Sequence, residues 1–219
     1  MFGIAEAIMK GFEKAQEMLA ELPSMNELQG QFGEMTTEFY LHAFNKIFKD
    51  GHCKTLRNLY IPYRDGYSEV DIVMITSKKI LVIENKSYSG WIFGSEHQQK
   101  WTQSLNKNQK YQFYNPIKQN QTHLNALSDY LQLPKENFIS IIVFGDGATL
   151  KKVPENKDSC YIVVREDLIA VYKQIYKMYD ETFTNEDIDS IYNKLVQHTK
   201  ADKATKQAHK DKIRNNCAN

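Results

Sequence analysis

The chain has 219 residues, 42% of them hydrophobic and 25% charged, and its 28 basic and 27 acidic residues leave a formal net charge of +1. This composition is typical of a globular protein with one α/β domain and some appendages. Because the whole chain is nearly neutral, any nucleic-acid surface must be a local basic patch. No apolar run is long enough to predict a membrane span, and charged residues interrupt the N-terminal apolar stretch, which argues against a signal peptide.

The three cysteines, Cys53, Cys160 and Cys217, are far apart and match no metal-finger spacing. Cysteines in such a pattern are usually free thiols in a reducing compartment, so a cytoplasmic location is predicted.

Two helices are predicted before the first strand. Residues 3–21 carry one apolar stripe, so this segment is expected to pack on the domain or to form a dimer or bind a partner protein; the stripe comprises Ile4, Ile8, Phe12, Ala15 and Leu19. Residues 34–49 form the second helix, on which Glu34 and Glu38 fall along one surface, with Glu38 fitting the apolar spacing better. The alternative for either one is an ordinary solvated glutamate on the helix.

The next stretch predicts an edge strand and a β-hairpin. Residues 54–63 form the strand, and Arg64, Asp65 and Gly66 form a turn into residues 69–86. Two apolar, β-branched runs at 70–75 and 80–83 are joined by the polar residues 76–79, which predicts a hairpin covered on both faces.

Three charged residues interrupt the hairpin, namely Asp71, Glu84 and Lys86. If the turn is centred between Ser77 and Lys78, cross-strand partners have numbers that sum to 155, and Asp71 lies opposite Glu84. Two opposed carboxylates repel each other, and a hard divalent cation, Mg²⁺ or Mn²⁺, would remove the repulsion. The alternative is an ordinary salt bridge between Glu84 and Lys86.

Short strands are predicted at residues 91–93 and 99–103, followed by a loop over 104–114 that mixes basic and aromatic residues. Trp91 and Trp101 either stack on bases or cover the edge of the core. Asn115 then caps a helix that begins at Pro116 and continues to about Leu131. Gln119 and His123 share one face of this helix.

Residues 138–144 read as a buried strand, 145–147 as a turn and 161–164 as a last short strand. Helices are predicted over 166–179 and 185–197, the second with a capping arrangement at residues 184–187. From His198 the chain is a basic arm with six positive and two negative residues, which either frays in solvent or contacts phosphates.

The ordered motifs resemble the nuclease-related domain (NERD) family of the PD-(D/E)XK, restriction-endonuclease-like superfamily. They run as PYRDGYSEVDIVMI, KKILVIENKSYSGWIFG, Trp101-Thr102-Gln103 and Asn115-Pro116-Ile117-Lys118-Gln119 with His123 and Leu127. Asp71-x12-Glu84-x-Lys86 carries the signature, with Val70 where the motif's name has Pro. The resemblance covers roughly residues 33–145.

The resemblance implies an α/β fold of restriction-endonuclease-like type, a mixed sheet flanked by helices. The extra N-terminal helix and the C-terminal helices lie outside the resemblance and are predicted from the sequence pattern. The expected division is an N-terminal helix and linker at 1–29, a nuclease-like domain at 30–165, packing helices at 166–197 and a basic tail at 198–219.

The resemblance also implies a Mg²⁺- or Mn²⁺-dependent nuclease acting on DNA. Asp71, Glu84 and the carbonyl of Asn85 would hold the metal, and Lys86, Gln119 and Glu38 would complete the catalytic set. Nucleic-acid contacts are expected at Lys107, Lys110, Lys118 and Trp101. The alternatives are a silent module that binds DNA or a protein, and a nuclease acting on RNA.

Overall fold

A computed structural model of the chain describes Thr37 and residues 52–199. The strands are β1 (Lys54–Tyr63), β2 (Gly66–Ile75), β3 (Ile80–Lys86), β4 (Gly90–Phe93), β5 (Lys100–Ser104), β6 (Lys110–Tyr114), β7 (Phe138–Phe144), β8 (Ala148–Lys152) and β9 (Cys160–Val164). The helices are α1 (Pro116–Leu131), α2 (Leu168–Met178) and α3 (Asn185–Val196). The predicted helix over residues 3–21 lies outside the described residues, as do Glu34, Glu38 and the chain from residue 200 onward.

A mixed five-stranded sheet in the order β1-β2-β3-β7-β9 forms the centre of the fold. Strands β1, β2 and β3 are antiparallel, whereas β7 and β9 extend the sheet in parallel from β3. The β2–β3 hairpin pairs Ile72 with Ile83 and Ile75 with Ile80, which confirms the predicted register. Strand β7 is buried along its whole length, as its unbroken apolar sequence predicts.

Helices cover both faces of this sheet. On one face, α1 and α3 pack against β1, β2 and β3 through residues such as Leu127 and Ile188. On the other face, α2 packs against β2, β3, β7 and β9 through residues such as Leu168 and Tyr172. The two apolar faces are therefore both removed from water, which is the main stabilisation available to such a sheet.

A second sheet in the order β6-β5-β4-β8 packs against the end of the first. Strands β6, β5 and β4 are antiparallel, and β8 is parallel to β4. As β7 is parallel to β3, the chain segments 80–93 and 138–152 run side by side through both sheets. Ile92 and Trp101 of the second sheet meet Ile142 and Phe144 of the first in a shared core.

Two parts of the second sheet differ from the sequence-based predictions. The segment predicted as a loop over 104–114 contains β6, and β8 was not predicted at all. Both are edge strands with mostly exposed side chains, so their sequences lack the apolar alternation that marks a half-buried strand.

Trp101 is also placed differently from the prediction that it contacts nucleic acid. Its side chain is fully buried, stacks beside Phe144 with ring centroids 6.3 Å apart, and donates from Nε1 to the Ser95 carbonyl at 3.0 Å. Gly94 leaves room for the indole, because a Cβ there would lie 2.2 Å from the ring. The burial supports the core alternative and excludes base stacking on this ring.

The helix termini follow the predicted capping residues. The side chain of Asn115 accepts a hydrogen bond from the Ile117 amide at the start of α1. At α3, Thr184 and Asp187 form the reciprocal bonds of a capping box. His198 is packed, with Nε2 2.7 Å from the Tyr130 hydroxyl, so the first residue of the predicted tail contacts α1.

The predicted fold class is confirmed, since two mixed sheets flanked by helices match a restriction-endonuclease-like fold. None of the described helices has both the length and the apolar composition required to cross a membrane.

Candidate active site

The end of β3 holds a buried ion pair. Glu84 is only 1% exposed, and its Oε1 accepts from Lys86 Nζ at 2.7 Å. Because side chains alternate along a strand, both residues project toward α1. The structure therefore contains the Glu84–Lys86 salt bridge, which the sequence offered as the alternative to a metal site. This pair offsets the negative charge of Glu84 without a cation.

His123 of α1 contacts the second oxygen of the same carboxylate. Its Nε2 lies 3.1 Å from Glu84 Oε2, and its Nδ1 lies 2.7 Å from Ser68 Oγ. A carboxylate only accepts hydrogen bonds, so Nε2 carries the proton, and in the neutral ring Nδ1 accepts from the Ser68 hydroxyl. His123 thus links β2 to Glu84 and fixes the orientation of the carboxylate.

These contacts keep Glu84 ionised. Burial alone would raise the pKa of Glu84, but the His123 hydrogen bond and the positive charge of Lys86 outweigh it and hold the pKa below its usual value. A buried carboxylate held in its charged form is the state that can bind a cation.

Asp71 lies at the same end of the hairpin. The regular β2–β3 pairing stops at Ile72 and Ile83, and the next step along the ladder would join residues 71 and 84. Asn58, with a φ of 52°, interrupts the β1–β2 pairing at this level. Asp71 Oδ2 accepts a 2.8 Å hydrogen bond from the Asn85 amide, so its carboxylate is held against the end of β3.

Gln119 approaches the site as expected from its position on the first turn of α1. Lys86 Nζ donates to Gln119 Oε1 at 3.0 Å, in addition to its contact with Glu84. The α1 helix is fixed against β3 by Asn120, whose Nδ2 donates to the Val82 carbonyl at 2.9 Å. The lysine is therefore held between two side chains on different elements.

A second series of side-chain hydrogen bonds reaches the end of β3 through the side chain of Asn85. Thr37 Oγ1 donates to Asn85 Oδ1 at 2.9 Å and accepts from Arg165 Nε at 3.3 Å. Arg165 is only 4% exposed, and its guanidinium pairs with Asp146 at 2.9 Å. These hydrogen bonds connect the residues that follow β7 and β9 to Asn85. Sequence analysis missed Ser68, Arg165 and Asp146, because neither motif spacing nor periodicity marks them.

The donor set fits a hard cation. Asp71, Glu84 and Asn85 lie at the same end of the hairpin and offer carboxylate and carbonyl oxygens, the ligands that Mg²⁺ and Mn²⁺ prefer. Each carboxylate oxygen has two lone pairs, so the contacts made by Glu84 leave acceptor capacity. Within residue 37 and residues 52–199, no three His, Cys, Asp or Glu residues are clustered to hold a metal. Further ligands would be water, phosphate oxygens or the predicted Glu38, which lies outside the described residues.

The lysines predicted to contact nucleic acid are not part of this cluster. Lys107 and Lys110 are exposed on the second sheet and its β5–β6 loop. Lys118 lies on α1, and its Nζ donates to the His97 carbonyl at 2.9 Å.

The chain is similar to known proteins over more than half of its length. The family model of the nuclease-related domain, NERD, matches residues 29–145. A protein of Bacillus anthracis, described as uncharacterized, is 30% identical over 162 residues, which cover 73% of each chain. No solved structure matches the chain significantly.

Proposed function

Because this chain belongs to the nuclease-related domain family, we propose that it is a metal-dependent nuclease that hydrolyses DNA phosphodiester bonds, as an endonuclease or nickase in DNA processing or defence. The observation that carries the proposal is the contact set at the end of β3, where Glu84, Lys86 and Gln119 are joined beside Asp71.

In the proposed mechanism, Asp71, Glu84 and the carbonyl of Asn85 would hold Mg²⁺ or Mn²⁺. The bound cation supplies Lewis-acid chemistry, since it neutralises charge on the phosphate and lowers the pKa of a bound water. Lys86, which is paired with Glu84 as an ammonium group, positions the attacking water by donating a hydrogen bond to it, and it would act as a base only after losing its own proton. Gln119 orients the lysine or a phosphate oxygen. His123 keeps the Glu84 carboxylate ionised and correctly turned, as partners of metal ligands commonly do. Glu38 is proposed to complete the site.

The same contacts favour one competing function, a silent module that binds DNA or a protein partner. Lys86 already compensates the charge of Glu84 and His123 hydrogen-bonds its second oxygen, so the carboxylate has partners without a cation. An RNA substrate is the other alternative, because nothing in the contact set distinguishes the two phosphodiesters.

The deciding experiment incubates the protein and Mg²⁺ or Mn²⁺ with supercoiled plasmid, linear duplex, single-stranded DNA and RNA. We expect plasmid nicking or cleavage by the wild type, and a rate at least ~10²-fold lower for Glu84→Gln and Lys86→Ala, since each removes a group acting at the reacting phosphate. Glu96→Gln is the matched control, because Glu96 forms an exposed ion pair with Lys157. Metal-dependent cleavage that survives Glu84→Gln would overturn the assignment, and RNA as the preferred substrate would replace DNA.

The basic tail is proposed to contact phosphates. Residues 200–219 contain six basic and two acidic residues, a net charge of +4 on a chain whose total is +1. Deleting them should make the slope of log affinity against log salt shallower, by up to ~0.9 per lost contact on duplex DNA, with little change in turnover at saturating DNA. An unchanged slope would show that the tail makes no phosphate contact.

The domain boundaries and a cytoplasmic location of the protein are also proposed. The nuclease-like domain is taken as residues 30–165, with the helices over 166–197 packed on it, and the N-terminal helix as a dimer or partner contact. A reducing cytoplasm would suit the free thiols of Cys53 and Cys160.

A further inference from the structure

The outer face of the second sheet forms a groove. It has a volume of about 800 Å³, and its lining includes Trp91, Phe93, Thr102, Ser104, Lys107 and Lys110. The strand pairing explains the arrangement, because Trp91 lies opposite Ser104 and Phe93 opposite Thr102, while Ser104 lies opposite Lys110. Residues of three neighbouring strands therefore present their side chains on one surface.

Trp91 is the least expected residue of this groove. Its side chain is 52% exposed, whereas the other tryptophan, Trp101, is fully buried on the opposite face of the same sheet. Exposing a large indole leaves apolar area in water and contributes nothing to the core. The next strand brings a cation to it, since Lys151 Nζ lies 5.1 Å from the ring centroid.

The charge around the groove has a single sign. Strands β4, β5, β6 and β8 contain four lysines and no acidic residue, and Lys107 adds another on the β5–β6 loop. Residues 97–128 contain no Asp or Glu, although acidic residues nearly balance basic ones over the whole chain. Such a local basic patch on a neutral protein is complementary to a polyanion.

We propose that this groove binds single-stranded DNA, with a base stacked on Trp91 and the backbone phosphates against Lys107, Lys110 and Lys151. Exposed aromatic rings within a basic groove are the usual means of holding an unpaired strand, because every base has a face that stacks. A duplex keeps its bases stacked inside and would leave Trp91 without a partner. The choice of DNA rests on the proposed function, in which DNA is the substrate.

The groove is close enough to serve the candidate active site. Trp91 follows Lys86 by five positions, so their Cα atoms are at most about 18 Å apart. The connection is fixed, since the Gly90 amide donates to the Gly147 carbonyl and the Gly145 amide to the Lys86 carbonyl, at 2.8 and 3.0 Å. The position of Trp91 relative to the end of β3 is therefore fixed by the backbone.

The test measures binding without divalent metal, so that no cleavage contributes. Purified full-length protein in EDTA is titrated with an oligo(dT) strand, an oligo(rU) strand of equal length and a duplex, and both intrinsic tryptophan fluorescence and anisotropy of a labelled strand are recorded. Trp91 is the exposed one of only two tryptophans, so stacking should quench the emission of the wild type.

Three variants separate stacking from charge. Trp91→Ala should weaken oligo(dT) binding by roughly 5- to 150-fold, as expected for one lost base stack, and Trp91→Phe should recover part of the loss. The double variant Lys107→Ala/Lys110→Ala should make the salt slope shallower by up to ~0.7 per lost contact on a single strand. The controls are Tyr67→Ala, an exposed aromatic on β2, and Lys135→Ala/Lys177→Ala, two exposed lysines away from the second sheet.

The outcomes are distinct from those of the cleavage assay. Loss of oligo(dT) binding in Trp91→Ala but not in Tyr67→Ala, with binding retained by Glu84→Gln, would support the groove whether or not the protein cuts DNA. Equal binding by wild type and Trp91→Ala would overturn the proposal. Tighter binding of oligo(rU) or of duplex than of oligo(dT) would overturn the assignment to single-stranded DNA.

Discussion

At the scale of single residues, the site is defined by pairing of opposite charges at a strand end. Glu84 is buried and contacts both Lys86 of β3 and His123 of α1, so two elements converge on one carboxylate. Removing one partner of such a buried set is generally more costly than the net benefit of the pair, because it leaves the other charge without compensation. Glu84→Gln should for this reason lower the thermal midpoint as well as activity, and catalytic variants must be compared at a temperature where all are folded.

Asp71 offers a more selective change. Asp71→Asn keeps an acceptor for the Asn85 amide but removes the negative charge, so the fold should be nearly unaffected. A metal that binds only the folded protein stabilises it by linkage, by about 2.7 kcal/mol at a metal concentration of one hundred times Kd. We expect Mn²⁺ or Mg²⁺ to raise the thermal midpoint of the wild type and to have much less effect on Asp71→Asn.

The measurement is a thermal shift series, repeated as DNA binding with Ca²⁺ to block cleavage, because two-carboxylate sites often fill only with substrate present. Asp129→Asn, at an exposed position on α1, is the matched control. An equal shift in wild type and Asp71→Asn under both conditions would count against a metal site at this strand end.

These residues also show how far sequence reasoning reaches. The turn composition and strand spacing predict the register that brings residues 71 and 84 to one end, because pairing in a short hairpin follows from its turn. The residues on other elements that contact Glu84, directly or through His123, cannot all be predicted from turn composition and strand spacing. His123 shares a helix face with Gln119, which is a detectable signal, whereas Ser68 approaches only through the tertiary fold.

At the scale of elements, buried strands and capped helices were predictable, and exposed edge strands were not. Strand β7 and the start of α1 carry strong local signals, a fully apolar run and an Asn-Pro cap. Strands β6 and β8 are held by pairing with one neighbour each, so their formation depends on β5 and β4 more than on their own composition.

The capping box of α3 gives a test of pH dependence. Hydrogen bonds from the Thr184 backbone and side chain lower the pKa of Asp187 below its usual value of 3.8. A lowered carboxyl pKa contributes stability above the unfolded value and loses it as the pH falls through the folded value. Wild type should therefore exceed Asp187→Asn in thermal midpoint at pH 7, and the difference should disappear in acid. A difference that is constant from pH 7 down to pH 2 would show that the charge is irrelevant to the cap.

At the scale of the whole molecule, the fold extends beyond the region that the family model matches. That match ends at residue 145, yet β9 forms the edge of the central sheet and α2 covers one of its faces. Arg165, which follows β9, reaches back through Thr37 to Asn85. The segment after residue 145 is thus part of the same packed unit as the candidate site.

A chain that ends at Gly145 should therefore fail to fold. It would leave Ile141 and Val143 of β7 without the cover that α2 provides, and it would remove the helix α3 from the opposite face. We expect no cooperative thermal transition by circular dichroism and strong binding of a hydrophobic dye, whereas a chain ending at Thr199 should unfold cooperatively. A cooperative transition in the shorter chain would show that the matched region is an autonomous domain.

The side-by-side course of segments 80–93 and 138–152 has a mechanical consequence. Two parallel connections, joined by backbone hydrogen bonds at Gly90 and Gly145, link the two sheets. These contacts fix the distance along the backbone between Trp91 and Lys86. Under the proposed function, a single strand stacked on the indole would be cut at a constant number of nucleotides from the stacked base, whichever base that is.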